Sequence, residues 1–169
     1  MWTVWMAAAL AGNPYAGLSG DVRASATTSM SPDAVLAAFQ DLPDATARFP
    51  RSCAKVTGAT HDFVNLTWIP SWMHRKVHVT VDQVKTGRRV DWDLAGRKDN
   101  LGFYLVVEVA TEGDGSSVTL RTPLDAPKWP LQALFFKTIR PAWASCYVSA
   151  ILSLDPSATI TDMSAPPVH

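Results

Sequence analysis

The sequence predicts an α+β domain: a curved antiparallel sheet of about six to seven strands wrapped on one long C-terminal helix, with two short helices after the first strand. Three observations predict it. Apolar and polar residues alternate over several short segments between residues 63 and 124, punctuated by turn residues. Ser31-Pro32-Asp33 opens a helix directly after an earlier strand-like segment. Residues 131–154 place apolar side chains at helical spacing, enough for a helix of about 35 Å.

Residues 24–30 (ASATTSM) read as the first strand. Ser31 then supplies an N-cap, Pro32 the first helical position and Asp33 an early carboxylate. The helix runs over Ala34 to Gln40, with Val35, Leu36 and Phe39 as its apolar stripe. Asp41 to Pro50 is a second short helix or turn flanked by prolines. Ser52 to Thr57 is a weak strand. Gly58 to Asp62 is a turn in which His61 and Asp62 are ordinary turn residues. Phe63 to Ile69 is a strand stopped by Pro70.

Val77 to Val84 alternates, with Val77, Val79 and Val81 on one face. Val90, Trp92 and Leu94 follow beyond a turn. If Val81 pairs with Val90, Asp82 faces Arg89 and His78 faces Asp93, both attractive outer pairs. Leu101 to Ala110 is the most apolar strand, and Glu108 faces Arg121 on the outer surface. Glu112 to Ser117 is a hairpin turn, and Val118 to Leu124 alternates again. One-sided alternation describes a sheet with one wet and one covered face.

The cover is the stretch from Leu131 to Leu154. Its stripe reads Leu131, Leu134, Phe135, Ile139, Ala142, Trp143, Cys146, Tyr147, Ala150, Ile151 and Leu154. Pro141 predicts a kink or short break. Residues 155–169 have the composition of a frayed end. The domain is therefore placed at 22–154, between an apolar extension and connector (1–21) and a tail (155–169).

Composition fits one domain. The chain has 169 residues, 47% hydrophobic and 18% charged, which excludes global disorder. Fifteen Lys and Arg balance fifteen Asp and Glu, so the cation surplus that phosphate neutralisation needs is missing and nucleic acid is an unsuitable partner. Cys53 and Cys146 form no CxxC, and no HExxH occurs. The two thiols are able to bond in an oxidising compartment, but neither requires it. A buried Cys146 would be an inert thiol. His74 and His78 lie four apart on a strand, too widely separated for one ion. No metal and no cofactor are expected.

Residues 1–11 (MWTVWMAAALA) are as apolar as a secretory h-region but lack a basic n-region, since the first positive charge is Arg23. They read as a segment that docks on a cytoplasmic domain. If they act as a signal, the protein is secreted or periplasmic. The run is too short to span a bilayer, and later apolar runs are interrupted by charge or Pro.

The order of strand, two short helices, strand meander and long terminal helix resembles the helix-grip fold of the START / Bet v 1 / polyketide cyclase superfamily. The resemblance covers residues 22–154. It is carried by Ser31-Pro32-Asp33, by Val90-Asp91-Trp92, by Gly113-Asp114-Gly115 before Val118-Thr119-Leu120, and by the helix from Leu131. None of these is a catalytic signature. The resemblance implies an apolar ligand held between the curved sheet and the last helix. Some members cyclise or aromatise polyketides, others carry lipids, and several have no assigned ligand. Pro141 and the N-terminal extension depart from the plain pattern.

A sheet that curls away from the helix would leave a cavity lined by Trp68, Val79, Trp92, Phe103, Leu105, Leu120, Thr122, Trp143, Cys146 and Tyr147. The same side chains could equally fill the interior. Tyr147 would donate to a ligand carbonyl or to a backbone carbonyl. Trp129, in a loop beside Pro130, lines an entrance, touches a membrane surface or caps the core edge. No Ser/His/Asp or Cys/His constellation falls inside.

Three functions compete. The first is carriage of a hydrophobic small molecule or lipid. The second is a polyketide cyclase/aromatase-like enzyme working by substrate positioning. The third is an interaction module with a filled core. A Tyr, Arg or carboxylate with a shifted pKa in the pocket favours chemistry, and its absence favours carriage. The sequence does not fix the oligomeric state.

Overall fold

The structure is a computed structural model that describes residues 20–60, 63–68, 73–84, 87–94 and 105–164; side chains at 66–68, 73–84, 87, 93–94, 135, 139 and 164 lie outside that description. The elements are β1 (Gly20–Thr28), α1 (Pro32–Gln40), α2 (Leu42–Ala47), β2 (Ala54–Ala59), β3 (Phe63–Trp68), β4 (Met73–Val84), β5 (Gly87–Leu94), β6 (Leu105–Glu112), β7 (Gly115–Leu124), α3 (Pro130–Leu154) and β8 (Thr159–Ser164). The strands form one eight-stranded antiparallel sheet, ordered β2-β3-β4-β5-β6-β7-β1-β8.

Alternation sets which face is covered. Val90, Val107, Leu120 and Ala24 are successive partners across β5, β6, β7 and β1, and all four are fully buried. Val22, Ala26, Val109 and Val118 extend the same apolar face. Each fully buried Val or Leu contributes about 1.5–3 kcal/mol. The expected β4–β5 register is found, with Val81 opposite Val90, Asp82 opposite Arg89 and His78 opposite Asp93. Arg89 directs its Nε to Asp91 on its own strand at 2.6 Å. On the outer surface Arg121 holds Glu108 through two hydrogen bonds and Asp21 through a third. The Glu108 hydrogen bond chiefly raises the Arg121 pKa.

Two helices share the cover. Ser31 caps α1 by accepting from the Ala34 amide at 3.3 Å, and Pro32 occupies the first turn. Helix α1 lies on β5, β6 and β7 with Val35, Leu36 and Phe39 buried. Its end is fixed by the Trp92 indole, which donates to the Phe39 carbonyl at 3.1 Å. Helix α3 packs on β1 and β8. Ala24 and Ala26 on β1, and Ala144 and Ala150 on α3, are fully buried. Such small side chains let strand and helix backbones come close.

The α3 stripe has a different phase from the expected one in its first half. Leu131, Leu134 and Ala142 are exposed, while Ala133, Phe136, Arg140, Trp143, Tyr147 and Ile151 are buried. The side chains of Phe135 and Ile139 lie outside the described residues. Helix α3 continues through Pro141 without a break, so the phase set by Trp143, Tyr147 and Ile151 propagates backwards at 3.6 residues per turn.

Several boundaries also differ: β2 is Ala54–Ala59 and enters the expected 58–62 turn, and β4 begins at Met73 rather than Val77. β1 starts at Gly20 and ends at Thr28. The β6–β7 hairpin is tighter than expected, with strands reaching Glu112 and resuming at Gly115. Gly113 takes φ +57°, a left-handed value that favours glycine there. Residues 159–164 are not frayed; they pair with β1 as the sheet's last strand. Here the Thr-Ile-Thr alternation decides against composition.

Asp155, the C-cap of α3, ties these ends together. One carboxylate oxygen accepts from the Ser157 amide at 2.9 Å and its hydroxyl at 2.6 Å. The other accepts from the Thr28 hydroxyl at 2.5 Å. Gly115 crosses the same corner: a Cβ there would lie 2.1 Å from the Thr28 carbonyl oxygen.

The two cysteines, free or bonded on the sequence alone, are joined. Cys53, just before β2, is bonded to Cys146 on α3, with Cα atoms 5.9 Å apart and a sequence separation of 93. This corrects the expectation of Cys146 as a free, inert thiol lining a pocket.

Three outcomes follow from these contacts. Gly115→Ala should cost at least about 2 kcal/mol in urea unfolding, because the added carbon meets backbone that cannot swing aside. Peptide mapping without reductant should recover the Cys53 and Cys146 peptides linked, and Cys53→Ser with Cys146→Ser should lower stability by about 2–4 kcal/mol. The Ser157 hydroxyl, then Thr28 and the Ser157 amide, hold the Asp155 carboxyl below its ordinary value of 3.8. Its contribution is therefore complete above that ordinary value and lost as pH falls through the depressed one. Urea midpoints of Asp155→Asn, followed between about pH 5 and pH 2, should lack this acid-side decline.

Candidate functional site

The inner face gathers most of the expected lining. Trp92, Leu105, Leu120, Thr122, Trp143 and Tyr147 are all buried, at 3% exposure or less. Trp68 pairs with Met73 and Ala54, and Val79 pairs with Trp92 across β4 and β5, but their side chains lie outside the described residues. Phe103 lies outside them altogether. Cys146 belongs to the disulfide.

These groups first contact one another. Phe49, between α2 and β2, meets Trp92 edge-on at 5.9 Å between ring centres and Tyr147 at 6.4 Å. Such pairs add about 0.5–1.5 kcal/mol beyond burial. The indole of Trp92 is committed to α1, so this tryptophan anchors a helix. Among the described residues Tyr147 reaches no carbonyl. Its hydroxyl and that of Thr122 lie 2.5 Å apart, either being able to donate. Burial raises the Tyr147 pKa well above its usual range, and the Thr122 contact only partly opposes this. The phenol is neutral at physiological pH.

Arg140 is the feature the stripe reading misses. It is 2% exposed on α3, two turns before Tyr147, or about 10 Å along the axis. Its guanidinium stands over the Phe136 ring at 5.5 Å. All three guanidinium nitrogens are buried and have no hydrogen-bond partner among the described residues. Desolvation lowers its pKa, but a guanidinium stays cationic at neutral pH. A contact with one ring is worth about 0.5–2 kcal/mol, against a desolvation cost of several kcal/mol per buried ion. The sequence signal was present: counting back seven residues from Tyr147 puts Arg140 on the inner face.

Two clefts lie towards the outside. One, of about 520 Å³, runs between α2 and β2 past Phe49, Arg51, Lys55 and Val56. The other, of about 320 Å³, borders the disulfide beside Ser145 and Ser149. At the start of α3, Trp129, Leu131 and Leu134 are 50%, 67% and 61% exposed, so Trp129 does not cap the core edge. Among the described residues no cluster of His, Cys, Asp and Glu could hold a metal ion, and no helix is long and apolar enough to cross a membrane.

No family model matches the sequence, and no curated protein matches it. Solved structures do resemble the fold. The Aha1 dimer from Colwellia psychrerythraea superposes with TM-score 0.51 at 14% identity, over 80% of this chain and 96% of that one. A protein from Thermobifida fusca gives 0.50 at 13%, over 80% and 93%. One from Arthrobacter aurescens gives 0.50 at 12%, over 82% and 86%. Together with one antiparallel sheet and a long C-terminal helix laid on it, these likenesses show that the chain has the helix-grip fold.

Proposed function

We propose that the protein binds a hydrophobic small molecule or lipid between the sheet and α3 and carries or sequesters it. The observation that carries this reading is the chemistry of the inner face. Among the described residues it offers apolar side chains, one neutral hydroxyl pair and one permanent cation, with no acid–base pair. Such a surface suits holding a ligand better than acid–base chemistry.

A second reading is a polyketide cyclase/aromatase-like enzyme. Tyr147 and Arg140, both with shifted pKa values, favour it. Yet both shifts leave the protonation state at neutral pH unchanged, so these residues could only position or polarise a substrate. The interaction-module reading draws on the tight contacts among Phe49, Trp92 and Tyr147. Transient membrane contact during loading is supported by the exposed Trp129, Leu131 and Leu134 beside Lys128 and Lys137. Of the two locations, the cytoplasm and an oxidising compartment, the Cys53–Cys146 bond favours the second.

Native mass spectrometry of the full chain, purified from its own host, tests the carrier reading. A retained apolar mass that solvent extraction releases unchanged supports it. A bound molecule converted to a cyclised product on incubation supports the enzyme. A bare chain that also takes up no added fatty acid, fatty ester or fused-ring compound supports the interaction module.

A further inference from the structure

We propose that Arg140 is the anchor for the acid group of the ligand, so that the protein selects an apolar monocarboxylate over its neutral counterpart. This rests on the carrier reading and sharpens it.

The residue's surroundings carry the inference. Arg140 is almost wholly buried, and its nitrogens meet no acceptor among the described residues. Its neighbours along the inner stripe are Phe136 on one side and Trp143 on the other, both buried and largely apolar. From Lys128 to Leu154 the sequence contains no Asp or Glu, so α3 supplies no anion of its own. A planar guanidinium presents paired N–H donors that match a carboxylate edge to edge. Charge selects the same class. Arg140 is the only cation among the described buried residues, so one negative charge balances it and a dianionic phosphate would leave an excess. The aromatic groups one turn to either side suit an apolar body behind the acid group.

The test uses the full chain with three fluorescent probes: cis-parinaric acid, its methyl ester and anthracene-2-carboxylate. The wild type should bind parinaric acid at least about tenfold more tightly than the ester. Arg140→Met should lose that preference, with acid affinity falling about tenfold and ester affinity maintained. Ester binding also shows that the variant is folded. Arg140→Lys, which keeps the charge, should restore part of the preference. Preference for parinaric acid or for the anthracene acid assigns the carboxylate to a chain or to a fused ring. Without ligand, Arg140→Met should raise the thermal midpoint by about 2–4 °C, because it removes a buried charge that has no counter-ion among the described residues.

Equal binding of acid and ester by the wild type, or an acid preference that survives Arg140→Met, overturns the anchor while leaving the carrier reading in place. A lower unliganded midpoint for Arg140→Met shows a structural role and likewise overturns it. Binding of none of the three probes overturns the carrier reading, and the anchor with it.

Discussion

A sheet with one apolar face must be covered, and most of this architecture follows from how the chain meets that demand. The wide middle of the sheet, where Val90, Val107 and Leu120 align, receives α1. The alanine-lined strand β1 receives α3. Trp92 serves the first junction as a packed ring and as a donor to the end of α1. Asp155 serves the second by holding the end of α3 to Thr28. The disulfide then joins the segment after α2 to the middle of α3, so both covers are coupled.

Much of this arrangement was legible. Ser31-Pro32 placed α1 because a cap and a fixed φ act within one turn of chain. The β4–β5 register followed from alternating valines, because a shift of one residue would turn them outward. The α3 phase was less accessible. Its first half carries two competing apolar stripes, one through Leu131 and Leu134 and one through Ala133 and Phe136. Only the rigid continuation from Trp143 and Tyr147 chooses between them. A charged side chain on the chosen stripe reads as surface, so Arg140 escaped notice. The disulfide also depends on long-range placement: no local signal relates residues 93 apart.

The inner face is chemically sparse among the described residues. Its two hydroxyls at Thr122 and Tyr147 contact each other and its indole at Trp92 is occupied, while the charged Arg140 keeps unused bonding capacity. An interior of this kind discriminates by shape and by one charge. Exclusion of water makes that charge count for more than it would at the surface.

The ends of the sheet have a further consequence. Among the described strands, β2 and β8 are outermost, each with six residues and each offering backbone groups to a stranger. β2 shifts register between Val56 and Gly58, and β1 shifts against β8 between Ser25 and Ala26. Arg23 and Asp162 form an ion pair at the β8 border. Short, irregular, charged borders are poor templates for intermolecular strand addition. A protein that gathers so much β-structure around an oily interior is thereby discouraged from fibril growth.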